Sequence, residues 1–500
     1  MGTPVLSQPR PVPGASAAPG ALSPRPRDRP RISRRALAIL VAILLVVSIS
    51  VPIGLYELRG KRPVWGPGDI PIKHIVVLMM ENHAFDSLFG TYCPSVGPNC
   101  PMAVNGIPYG TCVPRDVGNS SAGCVRPYSF TAANLTVPDM LHIYNATTGS
   151  IDHGRMDGFY QAENAGREPF GNYNGSLVPI AWDLAQRYAL GDGFFSSALS
   201  YSLPNHWYLL AGQAPPVAIN EGFTITTFHH TYLNEANKTK TVQDLLNVSP
   251  MVSWKYYDWA LPSYQVAING IPSGESAYNN WNPLAARAES YTSWYSSHFA
   301  PRSQFFNDSA AGALPDVSWV IPDIPYSDHP PANMTAGETF IANVVDAVEA
   351  SPDWSSTALF LAWDDYGGFY DQVPPPTLDG LGLSVRVPLI VVSPYTPAGL
   401  VVHSLGYFES LLHFIEWRFN LGCITARDCN APLPFAYFDF NGTARAPVMF
   451  PTNATNASYP MSAAQLALTP QTDWSALAAI PSTTWDSGPP NPNLTATEVD

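Results

Sequence analysis

Ile72–Gly90 reads IKHIVVLMMENHAFDSLFG, and its two halves behave differently. Ile72–Met80 is an apolar run with β-branched residues. That pattern reads as a strand buried on both faces, hence as part of a parallel sheet. Glu81, Asn82 and His83 follow at once, then Phe85, Asp86, Phe89 and Gly90. Thr357–Trp363 (TALFLAW) and Val387–Val392 (VPLIVV) read as strands of the same buried, parallel kind. Helical patterns lie around them at Val178–Ala189, Gly337–Ala350 and Tyr407–Phe419. Strands alternating with helices predict an α/β sandwich, in which ligands bind beyond the carboxyl ends of the strands.

Chemistry is therefore sought just after each strand. Thr357–Trp363 is followed by Asp364 and Asp365, then Tyr366, Gly367 and Gly368. With Glu81 and Asn82, these carboxylates form an oxygen-rich set that suits a divalent metal if the two strands are neighbours. On spacing alone, Asp364 and Asp365 serve equally well as caps of a turn before the glycines. A third segment, Phe194–Gly212 (FFSSALSYSLPNHWYLLAG), places several hydroxyls just before an apolar helix-like stretch. A serine there is either a plain N-cap or, beside a metal, a nucleophile. Among the histidines, His142 precedes the Met156–Phe159 block, His329 sits in Asp328–Pro331 (DHPP), and His298 and His403 stand alone.

Composition narrows the field. The chain has 500 residues and a formal charge of −14, which argues against a nucleic-acid binder. Residues 1–35 carry seven Arg and one Asp and are rich in Pro and Ala, which predicts a disordered basic head. Ala36–Tyr56 (ALAILVAILLVVSISVPIGLY) is uncharged and long enough to span ~30 Å of hydrocarbon as a helix. The Arg34–Arg35 pair predicts a cytoplasmic N-terminus, with everything after about residue 60 outside, or a secreted chain if the segment is cleaved. Twelve Asn-x-Ser/Thr sequons fit a glycosylated exterior. Six cysteines, at 93, 100, 112, 124, 423 and 429, predict three disulfides, Cys423–Cys429 foremost. The exterior divides into a catalytic body, 66–450, and a Pro/Ser/Thr/Asn-rich tail, 451–500, without an internal repeat.

These pieces, in order, resemble the phosphoesterase family of bacterial and plant phospholipases C and a bacterial acid phosphatase. Ile72–Gly90 looks like its opening strand and E-N-x-x-F-D-x-x-F-G turn, and Met156–Phe159 (MDGF) is similar to its next block. Ser202-Leu203-Pro204-Asn205 sits where the family has Thr or Ser before x-Pro-Asn. Leu314–Pro322, Asp328–Pro331, Thr357–Pro376, Arg386–Tyr395 and His403–Leu421 match the later blocks. The resemblance implies an alkaline-phosphatase-like three-layer α/β/α fold. It implies that Glu81, Asn82, Ser202, Asp364 and Asp365 hold a divalent metal, with zinc, calcium and magnesium all open. It also implies Ser202 as nucleophile, with His142 and His329 contacting the phosphoryl oxygens or the leaving group.

Some positions depart from the family pattern. Gln372 stands where His is frequent, His83 and His206 where Arg is frequent, and Thr148 in the place of a second His. The implied activity is hydrolysis of phosphate esters, phospholipid diesters or soluble monoesters, by an anchored enzyme with no nucleic-acid partner. Ser202-x-Pro204-x-His206 is also similar to a sulfatase signature, although that signature has Arg in the place of His206. A non-enzymatic glycosylated surface protein that keeps the fold is the other alternative.

Overall fold

The computed structural model describes residues 65–92, 104–219, 225–248, 252–258 and 281–450. The basic head, the apolar run Ala36–Tyr56, Cys93, Cys100 and the tail from residue 451 lie outside the described residues. Among the described residues no helix is long and apolar enough to cross a membrane.

Eight strands form the central sheet: β1 (His74–Met80), β2 (Ala189–Gly191), β3 (Trp254–Asp258), β4 (Phe299–Pro301), β5 (Val317–Val320), β6 (Thr357–Trp363), β7 (Leu389–Val392) and β8 (Leu400–Val402). Across the sheet they run β8-β2-β7-β6-β1-β5-β3-β4. β1 lies at the centre, parallel to both β5 and β6. β3 is parallel to β5 and β4, and β8 to β2. β7 runs antiparallel to both of its neighbours, β6 and β2. The sheet is thus mixed, and the expectation of a parallel strand at 387–392 is corrected. Burial on both faces identifies an interior strand but not its direction. A parallel return needs a crossover, usually helical, and the segment 364–388 contains no helix.

The helices that cover the sheet are α1 (Phe85–Phe89), α2 (Tyr144–Ile151), α3 (Pro179–Arg187), α4 (Ser202–Ala211), α5 (Met334–Ala350) and α6 (Phe408–Phe419). Side chains of β1 alternate between two cores. Val76, Leu78 and Met80 pack with Phe340, Ile341, Val344 and Val348 of α5 and Ile180 and Leu184 of α3. Ile75, Val77 and Met79 pack with Leu411, Leu412, Phe414 and Ile415 of α6 and Leu209 and Leu210 of α4. The period of two that defines a strand therefore feeds both faces. Burying each such side chain contributes roughly 1.5–3 kcal/mol.

Helix ends are fixed by specific bonds. Asn333 caps α5 by accepting from Thr335 N–H. Pro179 opens α3, and the next two N–H groups, of Ile180 and Ala181, are received by the buried Glu338 carboxylate of α5. The expected Cys423–Cys429 disulfide is present, and Cys112–Cys124 is a second.

Candidate functional site

β1 and β6 are in register, with Met80 beside Trp363, so the next residues, Glu81 and Asp364, emerge side by side. Both are fully buried, as are Asn82 and Asp365. Asp364 N–H donates to Met80 carbonyl (3.0 Å) and Glu81 N–H to Ser327 carbonyl (2.8 Å), which ties the ends of β1 and β6 to the segment after β5. β1 ends at Met80, and the chain turns at Asn82, whose φ of 55° is left-handed, a conformation that Asn tolerates. Its N–H donates to Asp364 Oδ1 (2.9 Å), and Gly367 N–H donates to Asp365 Oδ1 (2.7 Å). Gly367, also left-handed, lies so close to Asn82 that a Cβ there would stand 2.3 Å from the Asn82 carbonyl oxygen. The two strand-end turns therefore interlock.

Ser202 is the first residue of α4, buried, with its Oγ donating to Asn82 Oδ1 at 3.4 Å. One side chain shapes the approach to it. Asn205 Oδ1 accepts from Ser197 N–H (3.0 Å) and Ala198 N–H (2.8 Å), while its Nδ2 donates to the carbonyls of Ser200 and Tyr201. Ser197 Oγ is occupied with Glu409 (2.5 Å), which in turn pairs with Arg427. Ser196 Oγ donates to Val385 carbonyl. Ser202 thus contacts Asn82, while the Ser196 and Ser197 hydroxyls are held by other partners.

His206 lies one helical turn after Ser202. Its Nε2 is 3.0 Å from Glu81 Oε1 and 3.9 Å from Asp364 Oδ2. One donor atom each from Glu81, His206 and Asp364 lies within 4.8 Å of the others, and all three residues are buried. Among the described residues, none donates a hydrogen bond to Asp364 Oδ2. Two buried carboxylates facing each other are costly unless a cation compensates them. Two carboxylate oxygens and an imidazole nitrogen suit zinc or another transition metal, whereas calcium and magnesium favour oxygen alone. The residues present therefore fit a divalent cation.

His142 adjoins the cluster from the loop before α2. Its Nδ1 lies 2.5 Å from the Met140 carbonyl oxygen, so Nδ1 carries the proton. Its Nε2 is 3.4 Å from Asn82 Nδ2 and 3.9 Å from Asp365 Oδ2. Asn82 is thereby the hub that touches both Ser202 and His142. His329 is buried on the turn after β5, two residues beyond Ser327, with Nδ1 held by Pro330 carbonyl (2.6 Å) and its ring against Trp281. Beside it, the Asp328 carboxyl accepts from Trp363 Nε1 and is pushed up to about 8 by burial.

The remaining departures from the pattern lie elsewhere. Gln372 Nε2 bonds to Asn105 (3.2 Å), and Thr148 Oγ1 donates to Tyr144 carbonyl within α2. His83 stacks on Phe369 and is pushed down to about 3 by burial, so it is neutral. Two contributions were missed by sequence reasoning. His206 was seen only as a departure, although residues four apart on a helix share a face. Arg386 forms a buried ion cluster with Asp86 and Asp371, which holds α1 against the segment after β6.

The buried carboxylates and imidazole gathered at the ends of β1 and β6 are compatible with a divalent cation. The chain belongs to the Phosphoesterase family, whose model matches residues 72–422. It is 25% identical over 405 residues to a non-hemolytic phospholipase C of Pseudomonas aeruginosa, covering 70% of this chain and 54% of that one. It is 28% identical over 419 residues to phospholipase C B of Mycobacterium tuberculosis, covering 75% and 78%. The chain thus spans about half the length of the Pseudomonas relative. A solved structure of an alkaline phosphatase superfamily protein from Vibrio parahaemolyticus is similar at a TM-score of 0.34 and 10% identity, covering 81% and 88%.

Proposed function

We propose that the chain is a metal-dependent phosphoesterase of alkaline-phosphatase-like architecture that cleaves phosphate esters through Ser202. The observation that carries this reading is the convergence of Glu81, His206 and Asp364 within 4.8 Å, at the strand ends where Asn82 contacts Ser202. Glu81, Asp364 and His206 would hold the cation, with Asn82, Asp365 and Ser202 as further oxygen donors. When bound, the cation supplies charge neutralisation and a lowered pKa for a neighbouring hydroxyl.

The residues then divide the work. Ser202 passes its proton to the unprotonated Nε2 of His142 or His329, and its Oγ forms the new bond to phosphorus while the bond to the departing alcohol breaks. His142 or His329 delivers the proton that the alkoxide takes up. In each, Nδ1–H is held by a carbonyl, so the exchangeable proton is at Nε2. Water then cleaves the phosphoseryl ester and restores the Ser202 hydroxyl. Similarity to proteins named phospholipase C supports phospholipid diesters as the substrates of this chain.

The domain plan proposed with this is a catalytic body at 66–450, behind a basic head and a membrane-anchoring run at Ala36–Tyr56. The catalytic body would face outward. Nine sequon asparagines fall within the described residues and none is buried, which leaves them open to glycans. The test is a panel of phosphatidylcholine, other diesters and monoesters, with Ser202→Ala as control. Metal-dependent turnover that is absent in Ser202→Ala is expected. No turnover of any ester by metal-loaded protein would leave the non-enzymatic alternative in its place.

A further inference from the structure

The chain has 39 acidic against 25 basic side chains, so a surface cavity lined by three arginines runs against its overall charge. This cavity, of ≈ 420 Å³, is lined by Arg115, Arg126 and Arg167 together with Tyr128 and Tyr160. Its frame is rigid. Val113–Pro114 pairs antiparallel with Cys124–Val125, and the Cys112–Cys124 disulfide ties the same two segments. Arg115 and Arg126 follow directly after these strands.

The guanidinium groups are held in place but not neutralised. Arg167 lies 4.1 Å over the Tyr128 ring, Arg115 lies 5.6 Å over Tyr160, and Arg126 donates to Gly110 carbonyl at 2.9 Å. Among the described residues none of the three pairs with a carboxylate. The acids next to Arg115 and Arg167 in sequence accept hydrogen bonds from other groups, Glu168 from a tyrosine of the cavity lining itself. Asp116 accepts from Gly118 N–H and Gln161 Nε2, and Glu168 accepts from Tyr128 O–H.

None of the lining residues belongs to the carboxylate cluster. The two are joined through the helix Phe159–Ala162, whose Phe159 packs on Tyr366 and Tyr370 while Tyr160 lines the cavity. Arginine forks match the oxygens of a phosphate, and stacking on aromatic rings preorganises them. The volume falls in the range of small-molecule sites, larger than bare phosphate requires.

We propose that this cavity is a second, non-catalytic binding site for a phosphate-bearing anion, either a soluble phosphate ester or the head-group phosphate of a lipid. It stands apart from the catalytic reading, because its readout is binding. The experiment compares the full chain with the Arg115→Gln/Arg167→Gln double variant. Glycerol phosphate is titrated calorimetrically, and vesicles of phosphatidylcholine with and without phosphatidic acid are co-sedimented.

The double variant is expected to lose one equivalent of bound glycerol phosphate, or to sediment with phosphatidic acid vesicles about tenfold more weakly. Loss of the first identifies a soluble ester as the source, and loss of the second alone a lipid. Turnover of a small soluble phosphodiester should stay unchanged, as should the melting temperature. Equal binding of both probes by parent and variant overturns the proposal. So does a variant that loses binding and turnover together, which would place the effect in the catalytic cluster.

Discussion

Replacing Gly367 with Ala isolates the interlocked turns on which the cluster depends. The residue sits at φ +57°, and an added Cβ would stand 2.3 Å from the Asn82 carbonyl oxygen and 2.6 Å from its Cβ. Ordinary contact begins near 3.4 Å, so Asn82 must move by about 1 Å. The left-handed backbone adds about 1–2 kcal/mol of strain. Overpacking adds about 1–3 kcal/mol, for a loss of about 2–5 kcal/mol in all. Asn82 touches both Ser202 Oγ and His142 Nε2, so the same shift misplaces two reacting groups. A displacement of about 1 Å costs on the order of 100-fold in rate. Gly422 supplies the control, because it is left-handed at φ +75° but an added Cβ there meets nothing within 4 Å. Gly422→Ala should lose only the strain component and keep full activity. Denaturant unfolding and kcat on a chromogenic diester measure both quantities. If Gly367→Ala proves as stable and as active as Gly422→Ala, the interlock does not position the site.

Three further outcomes follow from the same structure. His206→Gln should weaken metal binding by about 100-fold or more in chelator competition. His206→Arg supplies a positive charge but offers no ligand, so it should fare no better, and retained affinity there would mean that His206 serves only as a counter-charge. Glu163 is pushed from 4.5 up to about 8 by burial, so between those values the folded state holds a proton that the unfolded state has lost. Its contribution to stability is full below about 4.5 and falls as pH rises towards 8, so Glu163→Gln should raise the melting temperature at pH 8 but not at pH 4.5. Arg386→Met should cost about 3–5 kcal/mol in denaturant unfolding, because it leaves Asp86 and Asp371 buried without their cation. Adding Asp86→Asn and Asp371→Asn should recover part of that loss.

Much of this was legible in the sequence because it is local. The run at Ile72–Met80 gave β1, and the rule that α/β chemistry follows strand ends led to Glu81 and Asp364. Strand direction at Leu389–Val392 was not legible, since apolarity reports burial and the deciding feature is the missing crossover helix. His206 escaped because its meaning depends on α4 starting at Ser202, and a one-residue change in that start rotates the face. The Arg386 cluster joins Arg386 to Asp86 across 300 positions of chain, and the Glu338 cap spans 158. Such pairings arise only once the sheet order brings distant segments together.

The most direct test of Ser202 as nucleophile is peptide mass spectrometry of metal-loaded protein, acid-quenched during turnover of a phosphodiester. The account predicts phosphate on Ser202 in the parent, and neither phosphate nor turnover in a Ser202→Ala variant that keeps its metal. Turnover at the parent rate in Ser202→Ala, or phosphate trapped on a different residue, would contradict it.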